Sequence, residues 1–249
     1  NALACLLRPG SKILTIEETA ELNLSHENWV ALIARQSYGL GESHTGEVSL
    51  FDLVKASMRH RPDYLVVGEI RGSEAYVLFQ ALATGHGGMC TMHAENLDSA
   101  IKRLTQKPMD IAPAYIQLMN MVLSIQRVHL VKGTEKKAYR RVMNVNEIAD
   151  YEDYRCVLKW HPTKDEYLST FDKSMMLSSI SERIGASKKE LVAEIGRRKD
   201  VLHWMRERNI RSYKDVAAII AEYYARPKQI YEKVLAGEEV KVIAVSGNP

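Results

Sequence analysis

Between Lys12 and about Arg103, short apolar runs of β type alternate with stretches of helical periodicity, and no other feature restricts the fold as much. Strands separated by crossover helices run parallel, and a parallel sheet covered on both faces reads as near-continuous apolar runs. The strand segments are Ile13–Ile16, Val30–Ala34, Tyr64–Val67 and Met89–Met92. Between them Ser49, with Asp52 three residues on, opens a helix whose stripe is Leu50, Leu53, Val54 and Ser57. Ser73–Thr84 is a second helix, closed by Gly85.

The pattern changes after Pro113. Met121–Val131, Ala138–Asn146, Tyr154–Trp160 and Tyr167–Phe171 read as an antiparallel meander with a turn at Gly133 and Thr134. From Lys173 the periodicity is helical, with capping boxes at Ser187/Glu190 and Ser212/Asp215 and a proline, Pro227, heading a third helix. The expectation is an α/β sheet domain with a β-meander extension and a small helical C-terminal subdomain, divided into residues 1–150 and 151–249.

At 249 residues and 46% hydrophobic, the chain can bury a full core. A net charge of +3 gives no pull toward nucleic acid. Cys5, Cys90 and Cys156 form no C-x-x-C pair, which argues against a zinc ribbon and a disulfide framework and for a reducing cytosol. Leu3-Ala4-Cys5 resembles a lipoprotein cleavage site, but there is no basic leader and the apolar run is short, so Asn1–Leu7 reads as the tail of a helix. The longest apolar candidate, Met121–Val131, is broken by Gln126, Arg127 and His129, which leaves membrane association to a partner. In the basic stretch from Lys188 to Lys214, acids are interspersed among Arg197, Arg198, Lys199, Arg206, Arg208 and Arg211. With Leu191, Ile195, Leu202 and Met205 as its buried stripe, this is a solvated amphipathic helix rather than a nucleic-acid surface. Trp160 and Trp204 read as core.

Tyr64-Leu-Val-Val-Gly-Glu-Ile-Arg-Gly72 carries the most specific chemistry, an apolar strand ending in Glu69. Ligands of open α/β sheets bind outside the strands' carboxyl ends, so an acid there can face a metal ion and a water molecule. The same pattern also describes an ordinary core strand. Thr15-Ile-Glu-Glu-Thr-Ala-Glu21 places acids after another strand, and Gly85-His-Gly-Gly-Met-Cys-Thr-Met-His93 flanks a strand with two histidines. Those histidines have no third ligand at a recognisable spacing, so they do not read as a metal site.

In order, these three stretches resemble the acidic box (T-I-E-D-x-x-E), the V-G-E-x-R strand and the histidine box (G-H-x-x-x-x-T-x-H) of the secretion ATPase superfamily, the motors of type II secretion, type IV pili and archaella. The likeness covers roughly residues 1–150, and Leu22–Trp29, Phe51-Asp52-Leu53 and Met92–Asn96 look most like its archaeal branch. The resemblance implies a P-loop NTPase (RecA-like) fold and a hexameric homo-oligomer that uses ATP and Mg2+. It also implies a cytoplasmic protein, peripheral to the inner face of the membrane, whose partner is an integral-membrane platform protein; nucleic acid is not favoured as a partner.

By the same resemblance, Glu17 positions or deprotonates water and Glu69 stands on the magnesium side, through water. Glu18 replaces the usual Asp, and Glu21 supports the box. His86, Thr91 and His93 sense the nucleotide. Arg59 and Arg71 match family positions and Arg35 falls where an arginine is frequent, with Arg61 a weaker match; for each, an exposed arginine without a role is the alternative. No G-x-x-x-x-G-K-[ST] is present, so the chain is expected to begin after the phosphate loop on which hydrolysis depends. The other readings are a catalytically incomplete scaffold and a DNA-transfer ATPase.

Overall fold

The computed structural model describes residues 1–35, 46–132 and 135–240, without the side chains of residues 131, 132, 135 and 136. The expected turn at Gly133 and Thr134 lies outside the described residues. The chain divides into two compact units, residues 1–92 with 194–249, and residues 93–193.

The first unit contains a four-stranded, all-parallel sheet in the order β2-β1-β3-β4, formed by β1 (Ile13–Glu17), β2 (Trp29–Ile33), β3 (Tyr64–Val67) and β4 (Gly87–Cys90). The parallel α/β architecture read from the alternation is therefore observed. Central β1 is buried along its whole length, as a strand covered on both faces must be. Its polar residue Thr15 is fully buried yet satisfied, its hydroxyl oxygen accepting a 2.9 Å hydrogen bond from the Trp29 indole. Ala4, Ile13, Leu24 and Val66 pack on one face. Leu14, Ile16, Leu65 and Val67, of opposite parity, face the other way and are buried too.

Helix α1 (Leu50–Ser57) starts at the Ser49/Asp52 capping box, with both reciprocal bonds formed. Helix α2 (Glu74–Ala83) is followed by Gly85 at φ +92°. Strand β4 begins two residues earlier than expected. Its glycines argue against a strand on propensity, but a Cβ on Gly88 would lie 2.5 Å from a Leu82 methyl, so the approach of α2 requires the glycine. Residues Ala4–Leu6 form a single 3-10 turn rather than the end of an α-helix.

The second unit opens with α3 (Leu97–Thr105), capped by Asn96, whose side chain accepts from the Ser99 amide at 2.9 Å. An antiparallel sheet follows in the order β5-β6-β7-β8: β5 (Met121–Lys132), β6 (Glu135–Asp150), β7 (Asp153–His161) and β8 (Glu166–Ser169). The 150/151 division falls in the β6–β7 turn, inside this sheet. Helix α4 (Met175–Ile184) is held at its head by Glu147 on β6, which is buried and accepts from the Ser174 hydroxyl at 2.5 Å and the Met175 amide at 2.7 Å.

Helix α5 (Lys188–Glu207) begins in the second unit and ends in the first. The Ser187/Glu190 box at its head is formed. Its buried stripe is Val201, Trp204 and Met205; Ile195 and Leu202, expected inside, are 37% and 41% exposed. The stripe is set by the core it meets, where Val201, Trp204 and Met205 pack with Ile219, Ile220 and Tyr223 of α6 (Tyr213–Ala225) and Ile230 and Val234 of α7 (Pro227–Ala236). Ser212 heads α6 without a side-chain cap bond, so the Ser212/Asp215 box is absent; the helix is held by its buried face. Pro227 is at the first turn of α7, and Trp160, like Trp204, is buried.

Candidate active site

Parallel strands end on one edge, and the loops after β1, β2 and β3 meet there with the head of α1 around a cleft of about 370 Å³. Glu18, Arg35, Glu47, Ser49, Arg71 and Glu74 are among its lining residues. This is the edge at which open α/β sheets place ligands.

Glu17 closes β1. It is 5% exposed, and its carboxylate accepts from the Glu21 amide at 3.1 Å and the Leu22 amide at 3.0 Å. The acidic-box turn is thus folded around this side chain. Gly68, after β3, makes room for it: a Cβ there would lie 3.1 Å from Glu17 Cγ. Glu18 points into the cleft and accepts from the Arg71 guanidinium. Arg71 Nε also lies 3.9 Å from the Glu69 carboxylate, so one cation stands between the acids of two neighbouring strands. Both acids keep accessible side-chain surface. Glu21 is exposed, its backbone amide held by Glu17.

Glu74 was not singled out by the sequence. It is buried and accepts from the backbone amides of Arg71 at 2.5 Å and Gly72 at 2.7 Å, which fixes the loop that presents Arg71. An acid in the first turn of α2 was the available signal. Arg35 follows β2, bridges by its backbone to Val48 and donates through Nε to the Gly46 carbonyl. The Thr91 hydroxyl donates to the Gly68 carbonyl, and the Thr91 carbonyl accepts from the Ile70 amide at 2.9 Å, tying the end of β4 to the Glu69 loop. His93, the first residue of the second unit, accepts on its carbonyl oxygen from Arg103.

Three expected residues lie at the other end of the sheet. Arg59 and Arg61 sit in and just after the 3-10 turn that precedes β3, and His86 precedes β4. The length of β3, roughly 13 Å, separates them along the strand direction from Glu69. His86 Nδ1 instead sits 3.1 Å from both the Thr84 hydroxyl and the Ala81 carbonyl, closing the end of α2.

Among the described residues no group of three or more His, Cys, Asp and Glu could hold a metal ion unaided. A Mg2+ carried in on phosphates needs only one or two protein carboxylates and water, a requirement that accessible Glu69 and Glu18 fit.

A parallel sheet with paired acids and an arginine at its carboxyl edge defines a protein built like the nucleotide-handling α/β domains. The sequence is specific beyond that: the Type II/IV secretion system protein family matches residues 1–222, and the chain belongs to that family. It is 38% identical to the uncharacterized protein MJ1287 of Methanocaldococcus jannaschii over 208 residues, 81% of this chain and 74% of that one. To the conjugal transfer protein TrbB of Rhizobium radiobacter it is 36% identical over 149 residues, 59% of this chain and 41% of that one. It is also 33% identical to MJ0900 of Methanocaldococcus jannaschii over 91% of its length, while spanning 41% of that protein. The solved structure of the VirB11 ATPase from the Brucella suis type IV secretion system, in complex with sulphate, is similar at 22% identity and a TM-score of 0.41, covering 55% of this chain and 43% of that one. Among the described residues no helix is long and apolar enough to cross a membrane.

Proposed function

We propose that the chain is the catalytic part of an ATP-hydrolysing motor subunit that powers protein secretion or the assembly of a pilus- or archaellum-type filament. The observation that carries this reading is the Glu18–Arg71–Glu69 arrangement at the carboxyl edge of the parallel sheet, beside the cleft. In this reading Glu69 orients the attacking water, with Mg2+ neutralising phosphate charge when it is bound with ATP. Glu18 keeps Arg71 turned toward the cleft. Glu17 holds the acidic-box turn, and Glu74 and Thr91 fix the loops on either side of Glu69. His93, in the same motif as Thr91, reports on the nucleotide. No G-x-x-x-x-G-K-[ST] occurs in the 249 residues, and this reading requires a triphosphate grip of that kind.

Arg59 and Arg61, on the far edge, fit a role on a neighbouring subunit of a hexameric ring. Docked on an integral-membrane platform protein at the inner face of the membrane, such a ring would turn hydrolysis into movement. The likeness to TrbB supports a second reading, a motor of the same chemistry whose cargo is DNA.

The test is hydrolysis by a protein in which these residues follow a phosphate-loop segment. Mg2+-dependent turnover should appear, and Glu69→Gln should lower it about 100-fold while nucleotide affinity is kept, as expected for a group acting mainly in the transition state. Turnover unchanged by Glu69→Gln removes that residue from the mechanism. No turnover in the wild-type protein, with nucleotide bound, supports a scaffold instead.

A further inference from the structure

Positive charge is distributed unevenly along the chain. Residues 125–142 hold six lysines and arginines and one glutamate, a net charge of +5 in a chain whose total is +3. These charged residues lie on strands β5 and β6 of the second unit. Strand β6 pairs with β7 only from Asn144 onward, so Ile125–Lys132 and the strand opposite, up to Val142, form a ribbon of two strands.

The register places Arg127 directly opposite Arg140. Like charges facing each other across an antiparallel pair destabilise it. Both arginines are exposed, and neither has a carboxylate partner among the described residues. Period-two alternation puts Ile125, His129, Ala138 and Val142 on their face, with Ile125 59% exposed. The opposite face differs, because there Arg141 is neutralised by Asp165 through two hydrogen bonds of 2.8 and 2.9 Å. The unpaired arginines and the exposed isoleucine thus share one side. A duplex groove would flank the ribbon with phosphates on both sides, whereas a bilayer meets a single cationic face carrying an apolar contact.

We propose that this face docks on an anionic phospholipid bilayer, with Arg127 and Arg140 engaging headgroup phosphates and Ile125 reaching the acyl boundary. The inference deepens the placement of the protein at the membrane, but it needs neither nucleotide nor turnover, so loss of the ATPase reading leaves it standing.

The test is co-sedimentation of the 249-residue chain with vesicles of phosphatidylglycerol and phosphatidylcholine, against phosphatidylcholine alone, at low ionic strength. Binding is expected only to the anionic vesicles and should be lost at 0.5 M salt, roughly, where surface attraction is screened. The double variant Arg127→Gln/Arg140→Gln should weaken partitioning about 30-fold, the factor contributed by two cations near a charged surface. Its melting temperature should not fall, because the substitution relieves a repulsion. Arg206→Gln/Arg211→Gln, with the same charge loss elsewhere, should bind as wild type. Equal binding to both vesicle types overturns the proposal, as does equal weakening by the two double variants. Retention of a DNA duplex in place of vesicles overturns the lipid and assigns the ribbon to nucleic acid.

Discussion

Substituting Glu17 separates holding the acidic-box turn from acting on substrate. In Glu17→Gln one carbonyl oxygen remains to accept from the Glu21 and Leu22 amides, but the charge is lost and an NH2 group takes the place of the second oxygen, now 3.3 Å from the Leu22 amide. Bonds to a charged group contribute about 1.5–3 kcal/mol against about 1 for neutral ones, so the expected cost is about 1–2 kcal/mol. Glu17→Ala removes both bonds and the packing of the side chain against Gly68, for about 3–4 kcal/mol. For a chain of this size each kcal/mol lowers the melting temperature by about 2–4 °C. Hydrogen exchange at the Glu21 and Leu22 amides is the direct assay. Protection should fall about tenfold in the glutamine variant and disappear in the alanine variant, while β1 amides keep theirs in the glutamine variant. Unchanged protection at both amides in Glu17→Ala would refute the structural role and return Glu17 to a purely catalytic one.

Glu147→Ala should destabilise the second unit by about 3 kcal/mol or more, since a buried hydroxyl and an amide at the head of α4 lose their acceptor; urea unfolding followed by Tyr and Trp fluorescence measures it. Gly88→Val should cost about 1–3 kcal/mol by overpacking against Leu82, and Leu82→Ala in the same chain should recover part of that loss, a non-additivity read by a double-mutant cycle. With the phosphate-loop segment attached, mixing Arg59→Ala subunits with Glu69→Gln subunits should give more activity than the weighted sum of the two alone. A strictly additive mixture, with mixed oligomers confirmed by mass, assigns Arg59 to its own chain.

The sheet was legible because its two central strands are buried on both faces: Ile13–Ile16 and Tyr64–Val67 are apolar runs that leave little choice of structure. The meander was equally plain, its strands alternating in character between polar breaks. Helix α3 also had a readable signature, the Asn96 cap followed by Leu97, Ala100, Ile101 and Leu104, but it is short and its mean hydropathy is low. The buried side of α5 was misread by one residue because Leu202 and Val201 are equally apolar; only the contact with α6 and α7 decides which faces inward.

At the site, residue types revealed the carboxylates but not their division of labour. That Glu17 is spent on backbone amides while Glu18 reaches Arg71 depends on how the chain turns back after them, which no spacing rule gives. Glu74 was missed because an acid opening a helix looks like an ordinary favourable charge. The histidine box reads as one unit, yet β4 runs through it and separates His86 from Thr91, one before the strand and one after it.

The distance between Arg59 and Glu69 also has a consequence for counting. If the cation of one chain serves the acid of the next, a lone chain contains no complete site and an open arc contains one fewer than its members. Only a closed ring has as many sites as subunits. Rate per subunit would then rise with concentration, in step with closure, and a single misfitting chain in a ring would silence the two junctions it borders.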